Sequence, residues 1–418
     1  MLHLGTPFSI PDLVEEHVEV LPLLFALREG FLRAEHVSAR DLADHDERID
    51  AHADGIVLAG DDAREALTAM LASDDPGAAT AAAFVHARAG TPESVAAVLD
   101  AFAAARAAVL HGLADGLSFA PPEPVRKGLE GIAKPGGTAA AWAAARVLVS
   151  HGAATPELLR AFTAWPGAEE ADATRAAVDL LAVLGVSGLG RLPLRDPSAL
   201  LQPLLRAEDA ALRLAAIEAA AWTKQSWLLD RCRAAAAAPA EADGELLRCF
   251  GVLAGPADKD RVLALASRSA LGPLRYAVLG AYGHPAVVPA LLEGMTNADA
   301  ETAAAAGAAF LRVTGCDVES GTRARVAPAG TEPDEFEREF LEEVALPDPA
   351  KADAYWKERR KAFEAGTRWC RGVNLSDGSL SSAGTLALGL RHECHLRAAH
   401  DGKWGDGAFA LSRFAPAR

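Results

Sequence analysis

The feature that most restricts this chain is an internal repetition of short helix pairs. One unit reads Gly272-Pro-Leu-Arg-Tyr-Ala-Val-Leu-Gly-Ala-Tyr-Gly283, followed by His284-Pro-Ala-Val-Val-Pro-Ala-Leu-Leu292. Its first half puts Leu274, Ala277, Val278 and Ala281 on one helical stripe, and Gly283 supplies a stop. Pro285 opens the second half, where Val287, Val288, Leu291 and Leu292 form a matching stripe. The same grammar recurs upstream. The sequence predicts a helix over Ala139–Ser150, a break at His151-Gly152, and a second helix from Thr155-Pro156-Glu157 with a Thr cap. It predicts another pair from Ala79–Ala89, Gly90 and Thr91-Pro92-Glu93, and further first helices over Leu212–Ala221 and Leu246–Leu253. From Gln225 to Pro256 to Pro285 the steps are 31 and 29 residues, a period near that of known helical repeats.

A pair of this size cannot bury its apolar stripe alone, so neighbouring pairs must stack. Composition agrees. Half of the 418 residues are hydrophobic but only 6% are aromatic, and alanine dominates. Small side chains let helices approach closely while filling little volume, which suits a thin stack better than one large core. The expected fold is all-α: a HEAT-like α-solenoid of antiparallel helix pairs over residues 71–318. A helical N-terminal cap precedes it over 1–70. A linker with an acidic helix (319–350) and an aromatic, Arg-bearing region (351–418) follow, with one short strand near 405–414.

The formal net charge is −16. Residues 12–62 carry fourteen Asp and Glu against four Arg. Such a field repels phosphate backbones, so nucleic acid is not an expected partner. The stretch reads either as a solvated face or as a docking face for a basic partner. Five cysteines without a CxxC pair read as free thiols in a reducing compartment. No apolar run reaches about 18 residues, Pro22 interrupts the stretch from Leu21 to Leu27, and no export signal opens the chain. The cytoplasm is therefore the expected location, with no membrane contact.

Two clusters bear on catalysis or metal binding. In Asp41-Leu-Ala-Asp-His45-Asp-Glu-Arg-Ile-Asp50-Ala-His52-Ala-Asp54-Gly55, the two histidines lie seven apart on one helix face. A zinc or iron site needs ligands converging from more than one element. The plain reading is a capped surface helix with Leu42, Ile49 and Ala53 inward, Arg48 beside Asp44, and Gly55 as its end. His392-Glu393-Cys394-His395 is one residue short of HExxH spacing. There is no G-x-S-x-G elbow or phosphate-binding loop, because Gly185-Val-Ser187-Gly188 lacks the spacing and Gly188-Leu-Gly190 runs into proline. No cofactor is called for.

The two ends carry more specific strings: Leu23-Leu-Phe-Ala-Leu-Arg28 with Leu42 to Gly55, and Leu346-Pro-Asp-Pro349, Tyr355-Trp356, Phe363, Gly366-Thr-Arg368 and the Arg391–Arg397 helix. With them the chain resembles a family of proteobacterial HEAT-repeat proteins, whose N-terminal motif runs L-D-E-R-L-x-A-H-x-D-G-L. It departs from that family at His45 and in the His and Cys of the 391–397 helix. The resemblance implies no catalytic residues. It implies an accessory or chaperone-like role, because genes of the family tend to sit among type VI secretion components. The expected function is thus a non-catalytic scaffold or adaptor for a protein partner, such as a secretion effector or spike protein. Asp46, Glu47, Arg48, His52, Asp54, Trp356, Arg368 and Trp369 are the candidate contact residues. The alternative is a metal-dependent enzyme built on the His and carboxylate clusters.

Overall fold

A computed structural model describes residues 10–403, apart from 135–136, 163, 168–169, 187–195, 241–242, 328–333, 335 and 379. The expected strand at 405–414 and the glycine-rich loop from Ser187 lie outside the described residues. The described residues gather into two compact units, one of residues up to 225 with 387–392, and one of residues 226–386 with 393–403.

The first unit is helical. Its elements are α1 (Pro11–Arg33), α2 (Ala39–Ala59), α3 (Arg64–Leu71), α4 (Pro76–Ala89), α5 (Pro92–Ala104) and α6 (Ala107–Phe119). They continue with α7 (Pro122–Ile132), α8 (Ala139–Ser150), α9 (Pro156–Arg160), α10 (Ala171–Val186), α11 (Ser198–Leu204) and α12 (Ala210–Trp222). Packing follows chain order: α4 lies on α6, α6 on α8, α8 on α10 and α10 on α12. A second row runs beside the first, with α5 on α4 and α7, and α7 on α8.

Capping explains why the helices start and stop where the sequence indicates. Thr91, Thr138 and Thr155 each accept a backbone N–H bond from the residue three further on. Gly90 closes α4 in the left-handed conformation that glycine adopts without strain. Close approach explains the small residues. A Cβ at Gly116 of α6 would sit 2.9 Å from the Ala83 methyl of α4 and nearer still to the Thr80 carbonyl oxygen. One turn earlier, Thr80 Oγ1 donates to the Gly112 carbonyl at 3.0 Å. The two helices therefore meet nearly backbone to backbone.

The second unit repeats the scheme. Its first row is α14 (Gly244–Leu253), α16 (Leu274–Tyr282) and α18 (Ala300–Thr314), each packed on the next. The second row supplies α13 (Trp227–Ala237), α15 (Lys259–Ala264) and α17 (Val288–Gly294). Gly251 allows the α14–α16 contact, since a Cβ there would lie 2.7 Å from the Val278 carbonyl oxygen. Gly283 ends α16 at φ 66°, and His284 accepts from the Ala286 N–H ahead of the turn at Pro285. The rest of this unit comprises β1 (Glu319–Val326), β2 (Glu342–Pro347), α19 (Pro349–Phe363), β3 (Trp369–Cys370), β4 (Val373–Asn374) and α20 (Leu380–Ala383). The last helix, α21 (Leu388–His400), contributes residues to both units.

Helix α1 runs through Pro22 to Arg33. Two expectations change. Gly55 does not end α2; it lies beneath the His17 ring, where any Cβ would collide, and Gly60 provides the stop. Residues 319–347 are not a linker with an acidic helix. β1 and β2 form an antiparallel ribbon, with Arg323 opposite Ala345 and Arg325 opposite Glu343, and among the described residues between them Glu337–Phe340 makes a single helical turn. Four consecutive residue pairs, Arg323–Val326 against Ala345–Glu342, with a cross-strand Arg325–Glu343 ion pair and packing on α18, hold the ribbon.

Among the described residues no helix is long and apolar enough to cross a membrane. All five cysteines are free, with Cys232, Cys249 and Cys370 buried.

Candidate functional site

The N-terminal motif separates into buried and open residues. Arg28 of α1 donates through Nε and Nη2 to the two carboxylate oxygens of Asp46 at 2.8 and 3.3 Å. Both side chains are almost fully enclosed, and the guanidinium lies 4.5 Å from the Phe119 ring centroid. Asp46, a candidate contact residue, is therefore inside the molecule. His45 is also buried, with Nε2 donating to the Leu24 carbonyl at 2.8 Å. His52 is half-buried, its Nδ1 3.0 Å from Nδ1 of His17. Burial, and then the neighbouring His17, hold the His52 imidazole below its ordinary value. Asp54 and Asp50 both accept from Arg88 of α4 at 2.7 Å, which ties α2 to α4. Glu47 and Arg48 are exposed.

The C-terminal candidates are mostly structural. Arg368 donates to the carbonyls of Val252, Gly251 and Ala254 at 2.9, 3.2 and 3.2 Å, at the C-terminus of α14. A cation there meets the negative end of the helix dipole. Arg397 reaches the carbonyls of Val252 and Ala254 at 3.4 and 3.2 Å. Burial, and then the adjacent Arg397, pull the Arg368 guanidinium down to about 9. Trp369 donates from Nε1 to the Phe363 carbonyl at 3.1 Å, and its backbone N–H bonds the Gly283 carbonyl at 2.8 Å. Trp356 packs on Phe363 at 5.4 Å, as expected of residues seven apart on α19.

The His392–His395 run does not converge. His392 stands edge-on to Trp222 and 3.9 Å from Glu218, and burial lowers its affinity for a proton. Glu393 pairs instead with Arg312. Burial pushes the Cys394 thiol up to about 11, away from thiolate chemistry. Among the described residues no three His, Cys, Asp or Glu side chains are grouped to hold a metal ion.

A further cluster escaped the sequence analysis. His111 on α6, Arg146 on α8 and Asp179 on α10 meet across three helices packed side by side and line a cleft together with Asp172 and Arg175. His111 Nδ1 lies 2.9 Å from Asp179 Oδ2, and its Nε2 lies 3.3 Å from Asp115 Oδ2. Arg146, its side chain only 7% exposed, pairs with Asp115 and sits 3.6 Å from Asp179. Arg175 donates to Asp179 at 3.1 Å. Burial alone would raise the Asp179 carboxyl, but the hydrogen bond from His111 and the fields of His111, Arg146 and Arg175 hold it at about 2. The arrangement is an ionic clamp fixing the lateral register of α6, α8 and α10, with His111 and Arg175 left about one-third open. In sequence the three residues lie 35 and 33 positions apart, one on each of α6, α8 and α10.

No family model matches the chain, and no curated protein matches it.

Proposed function

We propose that this chain is a non-catalytic scaffold that binds a protein partner, built as a HEAT-like α-solenoid and working in the cytoplasm. The observation that carries this reading is the order of packing. In each unit the first helices follow one another as neighbours, α4 to α12 in one and α14 to α18 in the other, with a second row alongside. A stack of this kind presents rows of side chains from consecutive pairs, a surface suited to an extended partner. The polar clusters favour the same reading, because Arg28–Asp46, the His111–Arg146–Asp179 clamp and Arg368 are each engaged in holding helices together. The resemblance to the proteobacterial HEAT-repeat family supports an effector or spike protein of a type VI secretion apparatus as the client class.

The test is cross-linking in cells that make the protein, followed by capture and mass spectrometry. The proposal expects one reproducible, near-stoichiometric partner, cross-linked to exposed positions of consecutive helices. Capture of the chain alone, under cross-linking that recovers known complexes in the same cells, would remove it.

A further inference from the structure

A surface helix ordinarily turns polar residues outward and keeps its apolar stripe against its neighbours. Here every large apolar side chain left exposed among the described residues of the first unit belongs to α1, its cap, or the end of α2: Ile10, Leu13, Leu23, Leu27 and Leu58. Leu23 is 58% exposed and Leu58 76%. The adjoining side of α1 is already occupied, since Leu21, Leu24, Phe25 and Arg28 are buried and the helix packs on α2 and α4.

The exposed residues have a pattern. At about 100° per residue, Leu13, Leu23 and Leu27 fall within roughly 80° of one another, a stripe of about four turns. Asp12, Glu15 and Glu19 lie along one edge of it, all exposed and with no ion-pair partner among the described residues. Glu16 sits in the stripe itself. The face is therefore an apolar strip beside an acidic row, within the acidic stretch from residue 12 to 62.

That charge selects the occupant. A second copy would bring two acidic rows together, and like charges across an interface disfavour association. Nucleic acid and anionic lipid are repelled by the same field. A helix with aliphatic residues at three- and four-residue spacing and Lys or Arg along its edge matches both halves of the pattern. We propose that the outer face of α1, through Leu13, Leu23 and Leu27 with Asp12, Glu15 and Glu19, docks a basic amphipathic helix of a partner protein. This deepens the scaffold reading and rests on it.

The experiment uses the full chain and a fluorescein-labelled peptide of about four turns, with leucine at helical spacing and lysine elsewhere. A peptide of identical composition in scrambled order is the control. Anisotropy titration should give saturable binding that is at least about 10-fold weaker for the scrambled peptide. Leu23→Asp/Leu27→Asp and Glu15→Lys/Glu19→Lys should each weaken binding by a similar factor with unchanged far-UV dichroism and melting. Equal binding of both peptides, or undiminished binding by either variant, overturns the proposal. So does a wild-type dimer that the leucine variant dissociates, or binding that appears only after residues 1–9 are removed. If the docking test fails while the leucine variant still captures its cellular partner, the scaffold reading stands and only this face is wrong.

Discussion

Gly116→Ala tests whether adjacent pairs support one another through close helix contact. In an exposed helix this change stabilises by about 0.5–1 kcal/mol, because alanine loses less conformational freedom on folding. At Gly116 the new methyl would meet Ala83 at 2.9 Å, whereas ordinary contact begins near 3.4 Å. α6 must therefore retreat from α4 by about 0.5 Å, and by more to clear the Thr80 carbonyl. Overpacking of this kind costs about 1–3 kcal/mol, and because the Thr80 carbonyl is backbone the upper part of that range applies, leaving a net loss of up to about 2.5 kcal/mol after the propensity gain. Gly30 of α1 serves as the control, because a methyl added there would meet nothing within 4 Å. In urea titrations followed by far-UV dichroism, Gly30→Ala should raise the midpoint and Gly116→Ala should lower it. Equal stabilisation by both substitutions would refute the reasoning.

Other outcomes follow from the buried charges. Arg28→Ala strands Asp46 in the interior and should cost about 3–5 kcal/mol in the same titration, whereas Arg28→Met with Asp46→Leu should recover most of it. Asp179 has its folded-state carboxyl held below the usual 3.8, so its stabilisation is present above pH 4 and lost as pH falls toward 2. Asp179→Asn should therefore cost about 2 kcal/mol at pH 7, and the gap should close near pH 2. Burial lowers the His86 imidazole from its usual 6.5, and neither ring nitrogen has a hydrogen-bond partner among the described residues. Protonation then favours the unfolded chain, so stability contributed by neutral His86 is lost as pH falls below about 6.5. His86→Phe should raise the melting temperature more at pH 5 than at pH 8.

What the sequence revealed and what it hid divide along physical lines. Helix limits at Ala139–Ser150, the Thr91-Pro92 and Thr155-Pro156 starts and the Gly283 stop were legible, because caps are made within a few residues. Gly55 misled because its type fits two roles, a helix stop and a seat for another ring, and only the long-range position of His17 decides between them. Asp46 looked like a surface acid because its partner, Arg28, sits on another helix eighteen residues away. Arg368 had the reverse problem, since its three acceptors are backbone carbonyls more than a hundred residues upstream and carry no side-chain signature. The ribbon at Glu319–Pro347 was hidden because it is short, charged and largely exposed, which reads as a linker. The clamp left a fainter trace, a lone Arg146 among alanines with His111 and Asp179 at similar distances of 35 and 33 residues on either side.

Hydrogen exchange by mass spectrometry on wild type and Gly116→Ala is the most direct measure of whether stability passes from each helix pair to the next. A nearest-neighbour stack predicts faster exchange in α4, α6 and α8, a smaller effect by α12, and none in α14, α16 and α18. Equal loss of protection in every helix would mean a single shared core, and would contradict the account.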